Sequence, residues 1–90
     1  MGREEFSNAF NELRDKIGDS EVKLRNLKIL KTLCSDSYEY CNRNRNLLVV
    51  TAGVSVIMSY LEVEETAAVI LESMDLLVVV CKSMGKPCFA

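Results

Sequence analysis

Histidine and tryptophan are absent from this 90-residue chain, proline occurs once and glycine four times. The lack of histidine removes the commonest acid–base catalyst and one half of a mixed Cys/His metal site. Four scattered glycines supply neither a phosphate-cradling loop nor a nucleophile elbow of the G-x-S-x-G kind. The scarcity of turn residues also argues against an all-β fold and for helices joined by short connections. No enzyme is expected, and no cofactor.

A strong excess of either charge is missing as well. Residues 1–46 hold nine Lys/Arg against eight Asp/Glu, net +1, and residues 47–90 hold two against five, net −3. Neither half is basic enough to make nucleic acid the expected partner. Long hydrophobic runs are lacking too. Leu47 to Leu61 is fifteen residues, too short to cross a hydrocarbon core of about 30 Å as a helix. No membrane is expected as a partner.

Four cysteines form two C-x6-C pairs, Cys34 with Cys41 and Cys81 with Cys88. Zinc pairs are usually closer, and "MGREEFSNAF" has no apolar core of a secretory signal. Reduced thiols, no bound metal and a cytoplasmic (or nuclear) setting are therefore expected. Lipid signals also fail: Phe6 stands where a myristoylation motif wants Ser or Thr, and Cys88 is third from the end.

What is present is helical patterning. Phe6, Phe10, Leu13 and Ile17 recur at i, i+4, i+7 and i+11, the apolar stripe of an amphipathic helix over residues 3–18. Glu4 and Glu5 suit its start, Lys16 its last turn, and Gly18 its C-cap. Asp19 or Ser20 can cap a second helix, buried through Val22, Leu27, Leu30 and Leu33, with Ile29 and Cys34 beside them. Arg25, Lys28 and Lys31 form a separate polar edge on it.

"SDSYEYCNRN", residues 35–44, reads as a polar break. Its Arg43, and Arg45 just beyond, are expected to belong to a connector that caps the next helix rather than to a phosphate site. Ser35, Ser37, Tyr38 and Tyr40 would lie in an exposed loop open to phosphorylation. "NRNLLVVTAGVSVIMSYLE", residues 44–62, is too long for one buried strand and lacks the turn chemistry for two. It predicts two short helices meeting sharply near Ala52-Gly53, with the glycine ending the first and admitting the second closely. A last helix is predicted from about Glu64 to Lys82 or Ser83, stopped by Gly85 and Pro87.

An internal register accompanies this order. A shift of 47 residues superimposes Cys34 on Cys81, Cys41 on Cys88, Val22 on Val69, Leu27 on Met74, Leu30 on Leu77 and Leu33 on Val80. "EVKLRNLKILKTLC" (Glu21–Cys34) and "NRNLLVVTAGV" (Asn44–Val54) resemble the third helix and the opening of the unit of the armadillo repeat family. HEAT-type helical repeats are the neighbouring alternative.

The resemblance implies an all-α fold, a right-handed α-solenoid fragment of about five helices in one domain over residues 1–90. Residues 3–34 would be a partial first repeat, 42–83 a second, and 84–90 a flexible tail. Members that carry peptides use an asparagine and a tryptophan on the third helix. The matching positions here are Thr32 and Val79 for asparagine, Lys28 and Asp75 for tryptophan, so that ladder is absent.

What the likeness implies is a protein-binding role along side-by-side third helices. Its strip would comprise Arg25, Lys28, Lys31, Thr32, Glu72, Asp75 and Val79, with Arg25 facing Glu72 and Lys28 facing Asp75. The alternative is a homodimer through Leu76–Cys81, where the last helix is apolar nearly all round and no polar cap follows.

Overall fold

Five helices account for nearly all of the backbone in the computed structural model, which describes residues 3–35, 37–62 and 66–83. In chain order they are α1 (Arg3–Arg14), α2 (Ser20–Cys34), α3 (Cys41–Val50), α4 (Gly53–Glu62) and α5 (Ala67–Ser83). There is no strand among the described residues.

The amphipathic stripe of α1 buries Phe6, Phe10 and Leu13, with the two phenyl rings stacked at 6.4 Å. Ile17 does not join them. It is 51% exposed, because the helix stops at Arg14, a turn earlier than its spacing suggests. Lys16 takes a left-handed φ of 54°, and the Ile17 N–H then reaches back to the Glu12 carbonyl. That is the 6→1 closure of a Schellman cap, made here by a lysine in place of Gly18. Lys16 is held there by Tyr60, whose ring lies 3.9 Å below its ammonium, and by a 2.8 Å hydrogen bond to Ser59 Oγ. Gly18 serves the following turn: φ is 85°, and a Cβ would meet Val22 at 2.6 Å.

Asp19 caps α2 by accepting from the Val22 N–H at 3.1 Å. α1 and α2 fold back on one another as a hairpin, tied by Asn26 Nδ2 donating to Glu12 Oε1 at 3.1 Å. α2 then packs against α5 and α3, while α4 lies against α5, α3 and α1. One continuous core results, with Leu27, Leu30, Leu48, Ile57, Tyr60, Leu76 and Val80 among its buried members. Each large apolar side chain there contributes about 1.5–3 kcal/mol.

The junction near Ala52-Gly53 divides its two tasks between two residues. Ala52, not Gly53, adopts the left-handed conformation that ends α3, at φ 59°. Gly53 provides the close approach: a Cβ there would lie 2.7 Å from both Leu48 Cδ2 and the Leu48 carbonyl oxygen. α5 starts at Ala67, three residues later than the acidic run implies, with Thr66 Oγ1 accepting from the Val69 N–H. Glu64, Glu65, Gly85, Pro87, Cys88 and the tail 84–90 lie outside the described residues.

Candidate functional site

The helical register of α2 places its residues on three sides. Leu27, Leu30 and Leu33 point into the core, Lys31 points toward α5, and Arg25, Lys28 and Thr32 are exposed together. Beside this exposed edge lies an open depression of about 670 Å³. Val22 and Ile29 form apolar parts of its lining, Arg25, Lys28 and Thr32 polar parts, and two carboxylates join them, Glu21 of α2 and Glu5 from α1.

The strip expected from sequence therefore divides. Arg25, Lys28 and Thr32 share the depression. Arg25 approaches Glu12 of the neighbouring α1 at 4.0 Å, instead of Glu72. Thr32 contributes its carbonyl to the Ser35 N–H and hydroxyl, at 3.2 and 2.8 Å. Lys31, Glu72 and Asp75 form a second group across α2 and α5. Lys31 Nζ forms an ion pair with Glu72 Oε1 at 2.5 Å and lies 3.8 Å from Asp75. Lys28 is not the partner of Asp75. Val79 is half-buried and packed against the core.

Glu72 is nearly buried and Asp75 is exposed. The Lys31 ammonium is held above its ordinary value, chiefly by the close contact with Glu72, with Asp75 adding to it and desolvation opposing.

Two residues read as connector turn out to be structural. Asn44 and Arg45 belong to α3 and are buried. Asn44 Nδ2 donates to the Leu33 carbonyl at 2.8 Å, and Arg45 Nε donates to the Cys34 carbonyl. They close the C-terminus of α2 and do not cap α3, whose first turn has no side-chain cap. Arg43 lies over the Tyr40 ring at 4.7 Å and donates to Asn44 Oδ1. The helical spacing Asn44 to Leu48 was the available signal, since residues four apart share a face. In the loop before α3, Ser37 and Tyr40 are exposed, whereas Tyr38 packs on the core.

α5 also differs from its expected surface. Within Leu76–Cys81, Leu76, Leu77 and Val80 are core residues, Val79 and Cys81 are half-buried, and Val78 is exposed. The exposed apolar row is Leu71, Met74 and Val78, at 61%, 49% and 62%. Among the described residues no group of His, Cys, Asp and Glu could hold a metal ion, and no helix is long and apolar enough to cross a membrane.

The site thus presents two open surfaces, a depression of mixed charge on α2 and an apolar row on α5. Known proteins add no identity to them: no family model matches the chain, and neither a curated protein nor a solved structure does.

Proposed function

We propose that the chain is an armadillo-like solenoid fragment acting as a non-enzymatic protein-interaction module. The partner lies along α2, with its apolar side chains toward Val22 and Ile29 and acidic groups toward Arg25 and Lys28. The depression beside that basic edge carries the reading. It is open and has a mixed lining, as suits a segment of another protein better than a small enclosed ligand. The opposing charges on α5 are partly engaged by Lys31, and Arg25 is shared with Glu12 at 4.0 Å, so Lys28, with Arg25 beside it, is the main electrostatic selector. No cofactor is needed for such a role, and a cytoplasmic or nuclear setting fits the reduced thiols expected from sequence.

Selection of displayed random peptides against the immobilised chain tests this. Enriched sequences should carry Asp or Glu beside apolar residues, and Arg25→Glu with Lys28→Glu should weaken them at least tenfold while helicity stays unchanged. Peptides whose affinity ignores the double substitution would remove α2 as the binding surface.

A second reading, self-association through α5, is favoured by one observation. Leu71, Met74 and Val78 form an exposed apolar row on one face of that helix.

A further inference from the structure

α2 and α5 can be compared position by position at the 47-residue offset found in the sequence. Asn26, Leu30 and Leu33 are buried, and so are their counterparts Ser73, Leu77 and Val80. Every large difference falls on one of two faces. Leu24, Leu27, Lys31 and Cys34 are each more covered than Leu71, Met74, Val78 and Cys81. Leu27 is 0% exposed where Met74 is 49%. These positions, spaced i, i+3, i+7 and i+10, lie on one side of a helix, the side on which Lys31 meets Glu72 of α5.

The second face shows the reverse. Val22, Arg25, Ile29 and Thr32 are each more exposed than Val69, Glu72, Leu76 and Val79. On α5 this is the side holding Glu72, which is seated against Lys31 of α2. On α2 it is the wall of the open depression. A helix that stacks on a like helix needs one face to receive and another to be seated. Here α2 has its receiving face filled and its seating face empty, and α5 has the opposite.

We infer that the empty seating face of α2 in one copy takes the empty receiving face of α5 in a second copy, so that the chain associates head to tail. This deepens the self-association reading above and names the occupant of the α2 depression. Charge permits it: on the α2 face Arg25 and Lys28 stand beside Glu5 and Glu21, and Asp75 of α5 is exposed although it lies 3.8 Å from Lys31. The two sequence halves carry net +1 and net −3. Inside the chain the receiving helix supplies the cation Lys31 and the seated helix the anions Glu72 and Asp75. Such a contact is heterologous, and it extends beyond two copies unless its rotation closes a ring.

Sedimentation of the full chain into the high-micromolar range tests this, using two surface variants whose helicity is checked first. One is Leu71→Glu with Val78→Glu, the other Arg25→Glu with Lys28→Glu and Thr32→Glu. The native chain should pass beyond two copies as concentration rises, from a protomer mass of 10.1 kDa. Each variant alone should remain a single copy. Mixed in equal amounts, they should form a species of twice that mass and stop, because one intact α2 face and one intact α5 face remain. A native chain that stays monomeric, an α2 variant that still dimerises alone, or a mixture of folded variants that stays monomeric each overturns the inference. Selected peptides that bind a monomeric chain at Arg25 and Lys28 would leave the foreign-partner reading standing without it. Association restored by mixing, with no peptide able to compete, would do the converse.

Discussion

Asn44, in the first half of α3, donates its side-chain amide to the Leu33 carbonyl in the last turn of α2, 2.8 Å away. Both groups are buried, so removing the donor leaves a carbonyl without its partner in an apolar setting. Asn44→Leu should cost about 2–3 kcal/mol, more than the bond itself is worth, because desolvation goes uncompensated. Urea unfolding followed by circular dichroism reads this directly. A loss under about 0.5 kcal/mol would mean that water replaces the amide at the end of α2.

The α3–α4 junction predicts opposite responses from adjacent residues. Ala52 sits at φ 59°, where an L-residue is strained by about 1–2 kcal/mol, so Ala52→Gly should stabilise by about 0.5–1 kcal/mol after its own entropic cost. Gly53→Ala should destabilise by about 1–3 kcal/mol, since its Cβ meets the Leu48 carbonyl oxygen at 2.7 Å and backbone must move. Thermal melts of the two variants should shift in opposite directions.

Lys31 and Glu72 form an ion pair that is largely covered on the acid side and one-third exposed on the base, at 11% and 34%. Lys31→Met should cost about 1–2 kcal/mol at neutral pH, since solvent screens part of the pair. Lys31→Met combined with Glu72→Gln should recover some of that. The raised value of the amine fixes the sign with pH. Its stabilisation is fully present below the ordinary lysine value of 10.5 and is lost as pH rises through the higher folded-state value. The gap between native chain and Lys31→Met should therefore hold steady at neutral pH and close in alkali. A gap that persists unchanged into strong alkali would show that the charge on Lys31 contributes nothing to it.

Cys34 is fully buried at the end of α2, and desolvation pushes its thiol up to about 12, with Arg45 opposing weakly. It should be almost inert to thiol reagents at pH 8 in the native state, while Cys41 and Cys81, both half-buried, react faster. Mass spectrometry of partly alkylated chain separates the sites. Rapid modification of Cys34 before unfolding would show that the α2–α3 corner opens readily.

These features differ in how far they could be read in advance. The all-helical fold and the break near Ala52-Gly53 follow from periodicity and from turn residues, which are local properties. The end of α1 is not legible in the pattern, because Ile17 keeps the apolar spacing while a cation–π contact with Tyr60, 44 residues away, holds Lys16 in the left-handed turn. The polarity of Asn44 and Arg45 suggests a solvated connector. Their partners are carbonyls eleven residues back in another helix, which pattern alone does not reveal. The repeat register indicates an ion pair between α2 and α5 but not which cation makes it. Lys31 and not Arg25 or Lys28 meets the acids, since that depends on the register between α2 and α5.

α2 lies against α1, α3 and α5 at once, and its C-terminal carbonyls are held by α3. No part of it can then loosen while its neighbours stay in place. Its central amides, at Leu27 and Leu30, should exchange hydrogen with solvent only when the entire chain unfolds, and their protection would equal the global stability. α1, packed on α2 and α4, can fray earlier from the outside, so the molecule should come apart from that face, with a centre that fails last.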